Sequence, residues 1–525
     1  MGGGLLQLVA YGAQDAYITG NPHITFWKVL FKRHTNFAME AFRVNFTGSP
    51  TYGQRVVAVV NRNADLMYKT YLEVVLPDTV TAGVTWTSGA QRRLGYSLLK
   101  KIEVEIGGQI IDTHYGEWLF LWENLTANFD TSSRLDSMVG GNISGSQTSA
   151  TSCDGRPGVL YIPLQFWFCR NPGLALPLIA LQYHEVRINV TLGSAVDLVS
   201  GVAGVANSVA AKAALLPQLT DMALYIDYVY LDTDERRRFA QQSHEYLIDQ
   251  LQYGLQQTIT SSTARIDLTL NHPVKELVWV FQDARKTDCG SDITKALGYT
   301  QNFVYDDIVD RCRLQINGQD RFSERYGDYF WKVQPYQHHT GGAFWPTRQA
   351  VTPGMNALGG GLPPSVTITA TNWSMAGGVL TVTGAGVSGT ITENMLITGA
   401  GVPFGTTITG YITGSGATGT SGTFSISTNA TVSGAANAAY LSAPNVAFPT
   451  AYNPINVYSF AIQPEEHQPS GTCNFSRIDT STLVFDSIKT GAYPTKATPF
   501  NFRIYAVNYN IFRVMSGMGG LAYSN

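Results

Sequence analysis

Charged residues are scarce in this chain. Aspartate, glutamate, lysine and arginine make up 14% of its 525 residues, against roughly 25% in ordinary soluble domains. The net charge is −3, so the sequence offers no general electrostatic attraction to nucleic acid. The chain also has 52 glycines, 24 phenylalanines and 27 tyrosines. This composition predicts a protein of strands and loops, much of whose surface is hidden by neighbouring molecules.

Cysteine is also rare, and its spacing carries no metal or redox signal. No two cysteines form a CxxC pair, and an odd number cannot pair completely within one chain; the five are Cys153, Cys169, Cys289, Cys312 and Cys473. We expect reduced, structural thiols in a protein made in a cytosol. The opening MGGGLLQLVAYGA lacks the basic start and the apolar length of a secretory signal, and no apolar run predicts a membrane-spanning helix.

No catalytic arrangement is evident in the sequence. Residues 414–419 match the GxGxxG phosphate-binding pattern, but TSGTFSIS follows them, which predicts a strand where that motif requires a helix. The densest basic run, residues 236–238, is flanked by acidic residues and predicts a solvated helix or ion pairs at an interface. We therefore predict a protein that is not an enzyme and binds no cofactor.

Histidines do not complete a metal site either. His184 and His244 each precede a glutamate, as in a zinc-protease helix, but neither is followed by the second histidine that such a helix requires. His338 and His339 are adjacent, and adjacent residues on a strand face opposite ways. We predict a loop or interface pair at this position rather than two ligands of one metal, and no bound metal.

One pattern is present twice. KIEVEIGGQIIDTHYGEWLF begins at residue 101, and RCRLQINGQDRFSERYGDYF begins at residue 311. Each opens with alternating apolar and polar residues, which predicts a half-buried strand. Each then reaches a turn pair, Gly107-Gly108 or Asn317-Gly318, that tolerates the positive φ angles of a two-residue hairpin. The separation of about 200 residues is the size of a whole domain, so we infer an internal duplication.

The duplication and the turn chemistry predict the domain organisation. Many short strand-like runs, with glycine and proline turns and little helix, indicate an all-β chain of two similar sandwiches in tandem. Residues 1–25 are predicted to form an N-terminal arm, because they have turn chemistry without a sustained period. The first domain is predicted over 26–230 and the second over 253–525. The polar residues 231–252 between them predict a helical connector.

The second domain carries an insertion. The connection between the repeated pattern and the next matching strand is 43 residues long in the first copy and 129 in the second. Threonine, valine and isoleucine alternate there with glycine-rich turns, and residues 353–442 contain a single charged residue, Glu393. We predict that 353–442 forms a small β module rather than a disordered linker. Because so long an insertion cannot enter a packed core, we place it on an outer loop.

Asparagine sequons give candidate glycan sites. Asn45 and Asn189 lie in strand-like runs and are poor acceptors, because an acceptor is expected on a surface loop. We retain Asn142, Asn372 and Asn429 as candidate glycosylation sites.

Long blocks at both ends and through the middle of the chain carry a family resemblance. They are GGLLQLVAYGAQDAYITGNPHITFWKVLFKRHTNF at 3–37, PGLALPLIALQYHEV at 172–186, YLDTDERRRFAQQSHEYLIDQLQ at 230–252, QPSGTCNFSRID at 468–479 and MSGMGGLAYSN at 515–525. Through these blocks the chain closely resembles the major capsid proteins of large nucleocytoplasmic DNA viruses, especially the chlorella-virus (phycodnavirus) type. The insertion departs from the family pattern.

The resemblance implies a double jelly roll, that is, two tandem eight-stranded jelly-roll sandwiches, with the small β module inserted in the second. It also implies a homotrimer, an icosahedral shell over an internal membrane, and glycosylated outward loops. We expect a structural capsid protein of the virion, assembled in the host cytoplasm. Expected partners are further copies of the chain, minor capsid and penton proteins, the inner membrane side through the arm, and host-surface glycans, without direct contact to nucleic acid.

Two other classes of protein are compatible with the residues alone. One is a carbohydrate-binding surface or adhesion protein built from tandem β-sandwiches, with the insertion as its lectin module. The other is a sandwich-fold enzyme that acts on glycans. A stable trimer in solution distinguishes the capsid protein from both, because neither a lectin nor such an enzyme requires one.

Overall fold

A computed structural model describes residues 3–76, 85–86, 94–140, 158–194, 198–200, 218–283, 309–341, 455–488 and 500–523, with short pieces between 366 and 442. Strands dominate these residues, and the helices are short. The α-helices are α1 Gly3–Val9, α2 Ala16–Thr19, α3 Leu94–Leu98, α4 Gly116–Thr126, α5 Phe129–Met138, α6 Trp167–Arg170, α7 Thr233–Gln241 and α8 Gln334–His338. A π-helical turn spans Tyr329–Val333, and 3₁₀ turns span Pro172–Leu174 and Phe475–Arg477. None of the helices in the described ranges is long and apolar enough to cross a membrane.

The first half of the chain forms a two-sheet sandwich. Its strands are β1 Phe37–Asn45, β2 Arg55–Val60, β3 Leu66–Val75, β4 Thr85–Trp86, β5 Leu99–Ile106, β6 Gln109–His114, β7 Val159–Pro163, β8 Leu176–Pro177, β9 Val186–Leu192, β10 Val199–Ser200 and β11 Asp221–Leu231. One sheet has the order β1-β11-β3-β7, with β8 paired to β3, and the other has the order β2-β9-β5-β6. The short strands β4 and β10 pair with each other. Apolar side chains from both sheets fill the space between them.

The second half repeats this arrangement. Its strands are β12 His244–Ile259, β13 Ala264–Asp267, β14 Pro273–Asp283, β15 Val309–Ile316, β16 Gln319–Asp320, β17 Arg325–Tyr326, then β27 Asn456–Ser459, β28 Cys473–Asn474, β29 Ser481–Ile488, β30 Phe500–Met515 and β31 Met518–Leu521. The two sheets run β12-β30-β14-β27 and β13-β29-β15-β16. Counted along each half, the eight principal strands take the orders 1-8-3-6 and 2-7-4-5 in both halves. Such paired four-stranded sheets are jelly rolls, so the predicted double jelly roll is confirmed.

The repeated hairpins fold as predicted. β5 and β6 are joined by Gly107 and Gly108, with φ of 59° and 85°, and β15 and β16 are joined by Asn317 and Gly318, with φ of 49° and 76°. Positive φ at both central residues gives the turn that matches the twist of paired strands. Glu103, expected on the wet face of β5, is instead buried, and it forms ion pairs with lysine and arginine side chains.

The prediction of a helical connector is correct only for its first half. Helix α7 ends at Gln241, and β12 begins at His244, so the prediction of helix through residue 252 is wrong. β12 pairs with β30 along most of its length. The backbone bonds of that ladder override the local helix preference, since tertiary context routinely outweighs propensity. The first strand of the second roll therefore starts inside the predicted connector.

Described pieces of the insertion are strands. They are β18 Val366–Ile368, β19 Trp373–Ala376, β20 Val379–Val382, β21 Val387–Ser388, β22 Leu396–Thr398, β23 Ile408–Gly414, β24 Gly422–Ile426, β25 Val432–Ser433 and β26 Ala439–Ser442. They pair as a four-stranded sheet, β21-β18-β26-β22, and a five-stranded sheet, β23-β24-β20-β19-β25. The strand predicted after the GxGxxG match is β24.

Candidate functional site

One sheet is shared between the cores of the two rolls. On β14, Val278 and Val280 belong to the hydrophobic cluster that fills the first roll. The alternate residues Leu277, Trp279 and Phe281 belong to the cluster that fills the second roll. Because successive side chains of a strand point to opposite faces, the sheet β12-β30-β14-β27 has a buried face toward each core. The two rolls are therefore packed as one block.

Charged side chains reinforce this junction. Lys275 is fully buried, and its Nζ lies 2.9 Å from Oδ2 of Asp249 on β12. From the first roll, Arg170 approaches the same carboxylate at 3.7 Å and lies over the ring of Trp122 at 4.0 Å. Burial lowers the pKa of Arg170, although nearby carboxylates oppose this effect. A buried charge requires such partners, because leaving it unpaired costs several kcal/mol.

A second ionic contact joins α4 of the first roll to β30 of the second. Glu117 forms an ion pair with Arg503 and accepts a hydrogen bond from the Tyr505 hydroxyl at 2.6 Å. Burial, and then the negative charge of Glu117, raise the pKa of Tyr505 well above its ordinary value, so this phenol donates and does not ionise. Together with the shared sheet, these bonds fix the orientation of one roll on the other.

The stretch that contains the predicted insertion is bracketed by Gly341 and Ile455. Four side chains hold the start and the end of this stretch together, and we call Glu276, His339, Thr340 and Glu465 the neck clasp. The Glu465 carboxylate accepts hydrogen bonds from the Thr340 backbone N–H at 3.0 Å and from its hydroxyl at 2.6 Å. Nδ1 of His339 lies 2.9 Å from the same carboxylate.

The other ring nitrogen of His339 faces a second carboxylate. Nε2 lies 3.1 Å from Oε2 of Glu276, and both side chains are fully buried. The contact is an ion pair rather than an aligned hydrogen bond. Burial by itself lowers the pKa of His339, but Glu276 and Glu465 outweigh it and raise the pKa to about 9. Burial by itself raises the pKa of Glu276, but His339, together with Lys275 and Arg170, outweighs burial and lowers the pKa of this carboxylate.

The neck also touches the first roll. Gly341 donates its backbone N–H to the carbonyl of Leu125, in α4, at 2.9 Å. A Cβ at Gly341 would lie 2.5 Å from that carbonyl oxygen, so this close approach requires glycine. The base of the insertion is thus fastened to both rolls.

The N-terminal segment over residues 3–36, called here the exposed arm, has no buried residue. It contains α1 and α2, which have no buried residue, and its hydrogen bonds in the described structure are all local. Its large apolar side chains are all more than half exposed; they are Leu5, Leu6, Leu8, Val9, Tyr11, Tyr17, Ile18, Ile24, Phe26, Trp27, Val29, Leu30 and Phe31. So many exposed large apolar side chains in one segment indicate an interaction site.

The residues singled out from the sequence have varied outcomes. The candidate glycan sites Asn142, Asn372 and Asn429 lie outside the described residues. His338 bonds to the carbonyl of Ile462, whereas the adjacent His339 enters the neck clasp, so the pair faces two different environments.

The remaining motifs also have structural partners. His184 lies 2.9 Å from the carbonyl oxygen of Gly519. Arg236, in the basic run, forms an ion pair with Asp65 at 2.9 Å within the chain. The run lies in α7, which has no buried residue, in agreement with the predicted solvated helix. Among the described residues, no group of three or more histidine, cysteine or acidic side chains is placed to hold a metal.

The neck clasp was missed from the sequence. Its members lie on β14, after α8 and after β27, so no local pattern unites them. Two signals were available: Lys275 and Glu276 directly precede the apolar run 277–281, and His339 and Glu465 flank the insertion. A cavity of about 230 Å³ lies away from the neck clasp and is lined by Arg62, His184 and Glu185 among others.

Two tandem jelly rolls with this strand order place the chain in the class of double jelly-roll capsid proteins. It is similar to the PBCV-1 virus capsid quasi-atomic model, with a TM-score of 0.61 at 30% identity over 95% of this chain and all of that chain. A TM-score of 0.60 at 11% identity to the Faustovirus major capsid protein, over 96% and 94% of the two chains, shows the fold alone.

Sequence comparison gives the family. Residues 25–232 match the family described as major capsid protein N-terminus, and residues 235–350 and 438–520 match the large eukaryotic DNA virus major capsid protein family. The major capsid proteins of Pyramimonas orientalis virus and Paramecium bursaria Chlorella virus 1 are 41% and 34% identical to the chain, in each case over the full length of both. The chain therefore belongs to the major capsid proteins of large eukaryotic DNA viruses, a family of structural components of the virion capsid. The predicted resemblance is confirmed.

Proposed function

We propose that this chain is a non-enzymatic building block that forms pseudo-hexagonal homotrimers, which tile an icosahedral shell. The shared sheet between the two rolls carries this proposal. Two similar rolls locked as one block, repeated in three chains, give six wedges around one axis, an outline that can close-pack with copies of itself. Free hinge motion between the rolls would prevent the trimer from keeping one fixed pseudo-hexagonal shape. The charge pairs at the junction oppose such motion.

The arm and the module receive proposed roles from the side of the shell on which we place them. The predicted arm, 1–25, with the segment that follows it, turns to the inner side, where it contacts neighbouring copies, minor capsid and penton proteins or the inner membrane side. Assembly takes place in the host cytoplasm. The module 353–442 stands on the outer side, where it contacts host-surface glycans or carries glycan, with Asn142, Asn372 and Asn429 as candidate attachment sites. We propose bounds of 1–25 for the arm, 26–230 for the first roll and 353–442 for the module, and we begin the second roll at His244, the first residue of β12.

The oligomeric state tests the proposal directly. We expect purified chain at micromolar concentration to elute as one species whose mass by multi-angle light scattering is three times 57.1 kDa. A large apolar interface of the obligate kind keeps such a trimer intact on dilution. Persistent monomers would contradict the proposal. Monomers that bind glycans would favour the carbohydrate-binding protein instead.

Replacing residues 353–442 by a short Gly/Ser linker is expected to leave the trimer intact. The neck clasp lies outside the replaced range and holds both ends of the insertion on the second roll, so the rolls retain their cores. We expect an unchanged mass by light scattering and a Tm within about 4 °C of the parent chain. Loss of the trimer in this variant would mean that the module closes the trimer and does not stand apart from it.

A further inference from the structure

The end of the exposed arm, from Phe26, and Phe37, the first residue of β1, are called here the basic aromatic segment. It reads FWKVLFKRHTNF. Lys28, Lys32 and Arg33 make it cationic, and it contains no acidic residue; Asp15 is the only acidic residue in the first 39 positions. The chain as a whole is acidic. Positive charge is therefore concentrated in a segment that precedes the folded rolls.

The aromatic rings of this segment are open to solvent. Phe26, Trp27 and Phe31 are 87%, 95% and 88% exposed. Residues 26–36 lie in neither a helix nor a strand, and their described hydrogen bonds join residues at most two positions apart. Nothing in the chain's own described structure covers these rings, so their partner lies outside the monomer.

The pattern of the segment favours a lipid surface over a groove in a protein. Apolar residues are consecutive, at 26–27 and 29–31, so they form no single ridge of the kind that a helix or strand inserts into a groove. On a second copy, the cavity of about 230 Å³ beside Arg62 suits this segment poorly, because its wall carries a charge of the same sign as the segment. A fluid interface needs no matching pocket. Its headgroup layer accepts tryptophan and phenylalanine, and anionic lipids attract lysine and arginine.

We propose that the basic aromatic segment docks this chain on a membrane surface that contains anionic lipid. The rings enter the boundary between headgroups and acyl chains, and the three cations bind lipid phosphate and carboxylate groups. The proposal deepens the proposed function and rests on it for the placement of the arm on the inner side. Lipid binding itself can be measured with isolated protein.

The full chain is to be sedimented with vesicles of phosphatidylcholine alone, and with vesicles containing roughly one third phosphatidylserine. We expect binding to the anionic vesicles only, and weaker binding at high salt, because salt screens exposed charges. The variant K28Q/K32Q/R33Q is expected to bind about a hundredfold more weakly, since each cation near an anionic surface contributes close to a factor of five.

A second variant and a matched control distinguish the contribution of the aromatic rings to vesicle binding from that of other exposed apolar side chains in the arm. F26A/W27A/F31A is expected to lose binding, whereas L5A/L6A/L8A, which removes three exposed apolar side chains from α1, is expected to retain it. All three variants should keep the Tm of the parent chain, because the substituted side chains are exposed and belong to neither core.

Three results would overturn the proposal. The parent chain could fail to bind anionic vesicles, or K28Q/K32Q/R33Q could bind them as well as the parent does. The third result is that vesicle binding is absent in every variant, while F26A/W27A/F31A changes the mass measured by light scattering. That result would identify a second copy of the chain as the partner of the segment. A chain that binds anionic vesicles but remains monomeric would refute the homotrimer and leave the lipid site standing.

Discussion

Replacing His339 with phenylalanine is expected to lower the free energy of unfolding by about 3–5 kcal/mol. The ring of phenylalanine fills a similar space but carries no charge. Glu276 is fully buried, and the substitution removes the cation that faces its carboxylate at 3.1 Å. Lys275 and Arg170 act on the same carboxylate but offset only part of the loss. Denaturant unfolding of parent and variant at neutral pH measures the difference.

The same substitution should remove a dependence of stability on pH. The folded-state pKa of His339 is raised from its ordinary 6.5 to about 9. A group with a raised pKa stabilises the folded state fully below its unfolded pKa, and that contribution is lost as the pH rises through the folded value. The parent chain should therefore lose about 3 kcal/mol between pH 6.5 and pH 9. His339→Phe should be nearly flat over that window.

The neighbouring histidine supplies the control. His338 is partly exposed and bonds to the carbonyl of Ile462, so His338→Phe is expected to cost about 1 kcal/mol or less. It should also leave the pH dependence of the parent chain in place. Equal losses in the two variants would show that the neck clasp is not the source of the effect.

Replacing Trp279 with alanine is expected to lower the free energy of unfolding by about 3–5 kcal/mol. Its side chain is fully buried in the second core and packs against Phe330. Because β14 also borders the first core, the loss should destabilise both rolls together. We expect one cooperative transition, shifted to lower denaturant, whether it is followed by circular dichroism or by tryptophan fluorescence.

Val278→Ala is the matched variant on the opposite face of the same strand. Val278 is fully buried in the first core, and we expect a smaller loss, of about 1–2 kcal/mol, again in one transition. Two separate transitions, with Trp279→Ala moving only one of them and Val278→Ala only the other, would mean that the rolls unfold independently. The shared sheet would then not couple them.

The features that the sequence alone determined are local or repeated. The hairpins at Gly107-Gly108 and Asn317-Gly318 were predictable because a two-residue turn depends on φ angles that few residues tolerate. The duplication was predictable because the same pattern recurs at domain spacing, and the long family blocks pointed to the capsid class. None of these inferences requires knowledge of which distant residues meet.

The remaining features depended on contacts between distant parts of the chain. Residues 244–252 lie in the predicted helical connector, yet they form a strand because β30, some 250 positions later, supplies its backbone bonds. His339 and Glu465 are 126 positions apart, and Glu276 lies on a third element. Only the packing of β14 between two cores brings these charges together and makes their burial tolerable. Local sequence therefore specified turns and strands, whereas the tertiary structure decided strand partners, the shared sheet and the neck clasp, since pairing and burial energies depend on neighbours in space.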